Sequence, residues 1–300
     1  MKLSYYPGCT MKNHARNCDE STVAAMGCLD VEVKELDRWN CCGTVHSLTS
    51  DDLMHRVAPV TNLIRAKEEA ASALMTTCAM CYNTLKRANQ HVRTDPEALA
   101  VINEFLSLES IQYTGDVDVL HLLEILRDRV GFEQLAGRVK NPLKGLRVAC
   151  YYGCLLVRPK EVAFDDVENP RIMENLMAAL GATPVPFAMK MECCGAYHTV
   201  DQPEIIANRT NLIISSAHDQ GADVVVVSCP LCAHNLDHRQ VDAKRLNSGF
   251  HHLPVFYFTQ LMAIALGCGE AVLHFDLHHI DPQPVLVARG LAGGGRYAVR

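Results

Sequence analysis

Ten of the fourteen cysteines in this 300-residue chain fall into two copies of one arrangement. In the first, Cys9 is followed by the adjacent pair Cys41 and Cys42, written WNCCGTVH, and then by Cys78-x-x-Cys81. In the second, Cys154 is followed by Cys193 and Cys194, written MECCGAYH, and then by Cys229-x-x-Cys232. Adjacent cysteines diverge along the backbone and are poor partners for each other, because disulfide geometry is demanding; they look like ligands. A tetrahedral zinc would use four of each five thiolates and leave one spare. Sulfide-bridged iron leads over zinc, because the second pair is contiguous rather than CxxC and the fifth cysteine recurs in both halves. The spacing departs from the bacterial ferredoxin run C-x2-C-x2-C-x3-C, which demotes a ferredoxin role. His46 and His198 follow each CCG at the same distance and suit proton donation to a leaving thiolate; the alternative is that each caps a turn or bonds a cluster sulfur. Gly43 and Gly195 suit a turn that a side chain would block, and backbone amides there are placed to donate to sulfur.

The elements around these residues repeat too, at an offset close to 150 residues. A short strand (KLSYY, LRVACYY) ends in a Gly-Cys turn and leads to a helical stretch, residues 15–27 or 170–180. A second strand (VEVKEL, TPVPF) delivers CCG. A further helix (51–70, 203–220) precedes an apolar strand (ASALMTT, ADVVVVS) whose end carries CxxC. Strands alternating with helices imply an α/β fold of two pseudo-two-fold-related repeats, each a mainly parallel sheet flanked by helices. Ligands of such sheets gather at the carboxyl ends of the strands, so the three cysteine clusters of a repeat are expected to meet. Residues 87–140 read as mainly helical. The KNPLKG stretch is the best linker, which sets the first repeat at 1–142 and the second at 143–300.

Composition narrows the class. A hydrophobic fraction of 49% with 21% charged residues is that of a globular chain. The net charge of −6 leaves no basic excess to neutralise phosphates, which argues against nucleic acid as a partner. The opening MKLSYYPGCT lacks the apolar core of a signal peptide. The apolar PVFYFTQLMAIALG (254–267) is too short to span a bilayer and reads as a buried strand leading into a helix. Together these indicate a soluble, cytoplasmic protein without a transmembrane segment, and a reducing compartment argues against a disulfide framework for so many cysteines. Cys18, Cys28, Cys150 and Cys268 lack repeat partners and read as buried small hydrophobes, Cys150 lying near a ligand in sequence. The run HFDLHHIDP, with His274, Asp276, His278, His279 and Asp281, reads as a loop over the site ahead of a zinc site. Arg158 is placed either to pair with an anionic substrate group or to face water. No GxGxxG follows the first strand, so electrons must arrive from elsewhere.

The pattern C-x31-CC-x35-CxxC in one half and C-x38-CC-x34-CxxC in the other, with NPLKGLRVACYYGCLLVRP and LHHIDPQP, resembles the CCG domain and, more narrowly, the B-subunit family of heterodisulfide reductase. The resemblance covers nearly the whole chain. It implies two noncubane [4Fe-4S] clusters, one on Cys9, Cys41, Cys42, Cys78 and Cys81, the other on Cys154, Cys193, Cys194, Cys229 and Cys232. It further implies an oxidoreductase acting on sulfur groups. Its partners would be the ferredoxin-like and the flavin-containing subunits of such a complex, and its substrate a small thiol, a disulfide or a sulfur carrier. Two one-electron clusters flanking an S–S bond would match its two-electron cleavage. CCG repeats also occur in electron-transfer subunits of quinone-linked and glycolate or lactate oxidase-like dehydrogenases, which is the alternative reading.

Overall fold

The structure, a computed structural model, describes residues 1–44 and 53–291. The first sheet is built from β1 (Lys2–Tyr5), β2 (Glu32–Glu35), β3 (Ala73–Thr76) and β4 (Asp118–His121), in the order β2-β1-β3-β4. The second, from β5 (Arg147–Cys150), β6 (Thr183–Pro184), β7 (Val224–Val227) and β8 (Val255–Tyr257), has the equivalent order β6-β5-β7-β8. Every pairing is parallel, with Leu3 opposite Val33 and Leu74 opposite Val119 in the first sheet, and Val148 opposite Val224 in the second. The helices of the first half are α1 (Arg16–Cys28), α2 (Met54–Glu68), α3 (Ala79–Thr94), α4 (Pro96–Phe105), α5 (Leu122–Ile125) and α6 (Phe132–Ala136). Those of the second are α7 (Ile172–Ala179), α8 (Pro203–Asp219), α9 (Pro230–His238), α10 (Gln240–Leu246), α11 (Phe258–Leu266) and α12 (Gln283–Ala288).

Local chemistry explains these elements. All four valines of β7 are buried, as expected of a central parallel strand covered on both faces by helices. α4, α8 and α9 begin with proline, whose missing N–H costs nothing in the first turn. β6 is shorter than TPVPF suggests, because Pro184 and Pro186 lack N–H donors and the ladder stops after two residues.

The stretch 117–130 is not helical throughout. Asp118–His121 forms β4, with Val119 and His121 buried and Asp118 exposed, before the chain turns into α5. Alternating burial over four residues won over the helical periodicity of the leucines that follow.

The two sheets lie on either side of residue 142, but the packing crosses between them. α1 of the first half lies against α11 of the second. Tyr82 on α3 donates through its hydroxyl to Val162 O at 2.6 Å, and Asn83 donates to Leu155 O at 2.8 Å in the loop after Cys154. The backbone N–H groups of Lys140 and Asn141 both donate to Ala265 O at 2.9 Å, tying the connecting segment to the end of α11.

Candidate metal centre

In a sheet ordered 2-1-3-4 the chain changes direction across the sheet between β1 and β3, and the loops leaving their carboxyl ends part to form a crevice. Cys9 lies in the loop after β1 and Cys78 directly after β3. Cys154 and Cys229 occupy the same places after β5 and β7. The adjacent pairs arrive after β2 and β6, each placed by a tyrosine at the end of the neighbouring strand. The Tyr6 hydroxyl donates to Asn40 O at 2.8 Å, and the Tyr151 hydroxyl to Glu192 O at 2.5 Å, fixing the carbonyl just before each CC. Both tyrosines are buried, and burial, then the neighbouring cysteine sulfurs, pushes their phenols well above the ordinary range.

All three clusters of each half come together. Cys9 Sγ lies 3.8 Å from Cys41 Sγ, and Cys154 Sγ lies 3.8 Å from Cys193 Sγ. Cys194 Sγ is 3.4 Å from Cys232 Sγ, and Cys42 bonds Cys81 in the equivalent place. A tetrahedral metal with sulfur at about 2.3 Å separates its ligands by about 3.8 Å, so these are spacings of thiolates sharing a metal. Among the described residues, however, no three His, Cys, Asp or Glu side chains converge as ligands of one ion. All fourteen cysteines are free of disulfides. Cys78 and Cys229, the first members of the two CxxC motifs, lie close enough that each shifts the other's thiol, so the two quintets approach at the seam between the sheets.

Metal ligation requires thiolates, and the surroundings favour that form at Cys41, Cys193 and Cys229, whereas neighbouring sulfurs and burial raise Cys42, Cys78, Cys81 and Cys232. Cys193 is lowered to about 6, first by its hydrogen bond with Cys154 and then by the N–H groups of Gly195 and Ala196 and the charge of Arg209. Gly195 N–H points at the Cys193 sulfur at 3.3 Å. Cys41 is lowered likewise by Cys42 and Cys9, with help from the N–H groups of Gly43 and Thr44. Cys9 and Cys154 are raised, first by those same bonds and then by burial. Gly195 and Gly43 sit at φ +80° and +79°, the left-handed turn expected of them. Gly8 serves close approach: a Cβ there would stand 2.9 Å from the Cys81 sulfur.

His198 lies in a short 3-10 turn after CCG, exposed, with Nδ1 3.8 Å from Asp201 Oδ1. His46 lies outside the described residues. Sequence reasoning missed His121 and Tyr257, which end β4 and β8 at matching positions and cap the following helices in boxes with Glu124 and Gln260. His121 Nε2 lies 3.0 Å from Thr77 O, the carbonyl preceding Cys78, and Tyr257 lies close enough to Cys229 and Cys78 to feel their charge. The signal for them was the repeated x-x-Glu/Gln spacing after each final strand. Tyr197, also unflagged, reaches across the halves to Thr44 O at 3.5 Å.

The residues outside the quintets divide. Cys18 and Cys150 are buried, as expected. Cys28 and Cys268 are only half-buried, and their sulfurs lie 3.0 Å apart across 240 residues of sequence, which corrects the reading of them as separate buried hydrophobes. In the 274–281 run His274 Nδ1 stays 3.9 Å from Asp276 Oδ1, and the other groups turn to separate partners. His274 pairs with Glu20 at 2.8 Å, His278 lies 2.9 Å from the Gln260 amide, His279 stacks on His238, and Asp281 caps Gln283. Arg158 is 3.7 Å from Glu168 at the surface.

The family described as CCG, cysteine-rich domain, matches the chain twice, at residues 3–86 and 148–237. The chain is 35% identical, over 93% of its length and 97% of the relative's, to a protein of Wolinella succinogenes named 8-methylmenaquinol:fumarate reductase membrane anchor subunit. It is 30% identical, over 93% of its length and 94% of the relative's, to the B subunit of the ferredoxin/F(420)H(2)-dependent CoB-CoM heterodisulfide reductase of Methanosarcina acetivorans. A crystal structure of a hypothetical protein from Helicobacter pylori shares the fold with a TM-score of 0.74 at 15% identity, covering 93% of this chain and 51% of that one. Two CCG matches and these full-length similarities make the chain a member of the CCG cysteine-rich-domain family, among the relatives of the heterodisulfide reductase B subunits.

Proposed function

We propose that this chain is the iron–sulfur subunit of a heterodisulfide reductase-like complex, an oxidoreductase that cleaves or forms a disulfide. Its repeats, 1–142 and 143–300, each hold one [4Fe-4S] cluster of the noncubane type, on the quintets of Cys9, Cys41, Cys42, Cys78 and Cys81 and of Cys154, Cys193, Cys194, Cys229 and Cys232. The observation that carries the reading is the contact of Cys78 with Cys229, which brings the two quintets together where the sheets meet. When bound, the clusters supply one electron each, matching the two that an S–S bond requires.

The chain's own residues do the rest. The N–H groups of Gly195 and Ala196 hold negative charge at the Cys193 sulfur. His198, exposed beside the second CCG, gives a proton to the departing thiolate, with Asp201 orienting it; we assign His46 the matching role in the first repeat. Electrons arrive from the ferredoxin-like and flavin-containing partners of the complex. The relatives' names, which describe them as subunits, support a multi-subunit assembly. Among the described residues no helix is long and apolar enough to cross a membrane; we place the complex in the cytoplasm.

The experiment is anaerobic iron and sulfide quantitation with paramagnetic resonance, titrated with candidate thiols. About eight irons per chain are expected, with a new signal on adding the thiol that is a product of cleavage. The Wolinella relative favours a second reading, an electron-transfer subunit of a quinone-linked reductase. That reading predicts the same iron content with no thiol-dependent signal.

A further inference from the structure

The seam between the halves is a pair of helices, α1 and α11, that both start at the cysteine-bearing edge of the sheets and run away from it. Near their starts a buried hydrogen bond joins them, Ser21 Oγ to Thr259 Oγ1 at 2.8 Å. At their far ends stand Cys28, the last residue of α1, and Cys268, directly after the left-handed Gly267 that closes α11. Their sulfurs lie 3.0 Å apart, closer than two sulfur atoms sit in ordinary non-bonded contact. From Cys18, beside the site, to Cys28 is about 15 Å along the helix, so this pair is separate from the ten ligand cysteines. Both thiols are partly open to solvent, and Cys268 lines a cleft of about 170 Å³ with Asn141, Gly267, Glu270 and Phe275.

We propose that Cys28 and Cys268 form a reactive dithiol that exchanges with low-molecular-weight disulfides and closes into a disulfide joining the two repeats. The thiolate of Cys28 attacks one sulfur of the small disulfide, forming a mixed disulfide and releasing the first small thiolate. Cys268 then gives up its proton and attacks the Cys28 sulfur; the mixed disulfide breaks and the second small thiol leaves. The protein dithiol is oxidised by two electrons and the small disulfide is reduced to two thiols. Burial and then the neighbouring Cys28 sulfur raise the Cys268 thiol, which suits it to the second, intramolecular step.

The test incubates the anaerobically purified, cluster-loaded protein with glutathione disulfide, then alkylates, digests and maps it by mass. The expected results are a Cys28–Cys268 cross-linked peptide, two glutathione thiols released per chain, and faster migration on a non-reducing gel. Cys268→Ser should stop at a stable glutathione adduct on Cys28 with one thiol released. The Cys28→Ser/Cys268→Ser double variant should release none beyond background. Recovery of Cys28 and Cys268 both fully alkylated in the wild type overturns the proposal, as does equal glutathione release by the double variant.

Discussion

Cys41 and Cys193 hold the same chemical position in their halves: each is the second sulfur of a close pair and receives hydrogen bonds from the backbone N–H groups of the CCG glycine and the residue after it. Serine offers a far poorer metal ligand than thiolate. Cys193→Ser is expected to lower iron from about eight to about four atoms per chain, with loss of one cluster's resonance and of disulfide turnover; Cys41→Ser should do the same to the other. Retained iron and turnover in both variants would remove the assignment. His198 touches no cysteine sulfur that the structure records, so its replacement separates chemistry from cluster assembly. His198→Ala should leave the iron content unchanged while lowering kcat by about 10²-fold or more, measured by thiol release under saturating electron donor.

At the scale of elements, the CCG turns differ in how much room surrounds them. A Cβ on Gly195 would lie 2.5 Å from Ile206 Cδ1, whereas on Gly43 its nearest neighbour is Ala58 Cβ at 3.3 Å. Both alanine variants suffer the left-handed backbone, about 1–2 kcal/mol, but Gly195→Ala must also displace a side chain of α8. Denaturant titration should therefore find Gly195→Ala the more destabilised. Asp237 at the end of α9 anchors the C-terminal segment through the N–H groups of His279 at 2.6 Å and Ile280 at 3.0 Å. Burial raises its carboxyl to about 6, so the folded chain holds that proton more tightly than the unfolded chain does. The sign follows for this one group: its contribution to stability is fully present below about pH 4 and is lost as pH rises through about 6, a difference of about 3 kcal/mol. Asp237→Asn should flatten that slope in unfolding measured between pH 4 and 7.

At the scale of the whole molecule, neither half is covered by its own elements alone. Met26 and Ala25 of α1 are fully buried, as are Leu261 and Ala265 of α11, and the two helices face each other across the halves. A fragment of residues 1–142 loses α11 and exposes that face to water. It should show no cooperative thermal transition, whereas the full chain shows one; a sharp transition in the isolated fragment would mean that the seam is dispensable.

The cysteine inventory, the duplication and most of the strand and helix alternation were legible in the sequence, because residue type, spacing and hydrophobic period are local properties. β7 and the 254–267 strand-to-helix segment were readable for the same reason. β4 was not, since four residues of alternation are swamped by the leucines after it. What only the tertiary structure decided is which distant groups meet: Cys78 with Cys229, Cys28 with Cys268, and His274 with Glu20 across the halves. Those contacts follow from how helices pack across the seam between two sheets, and no periodicity within either repeat records the register of that packing.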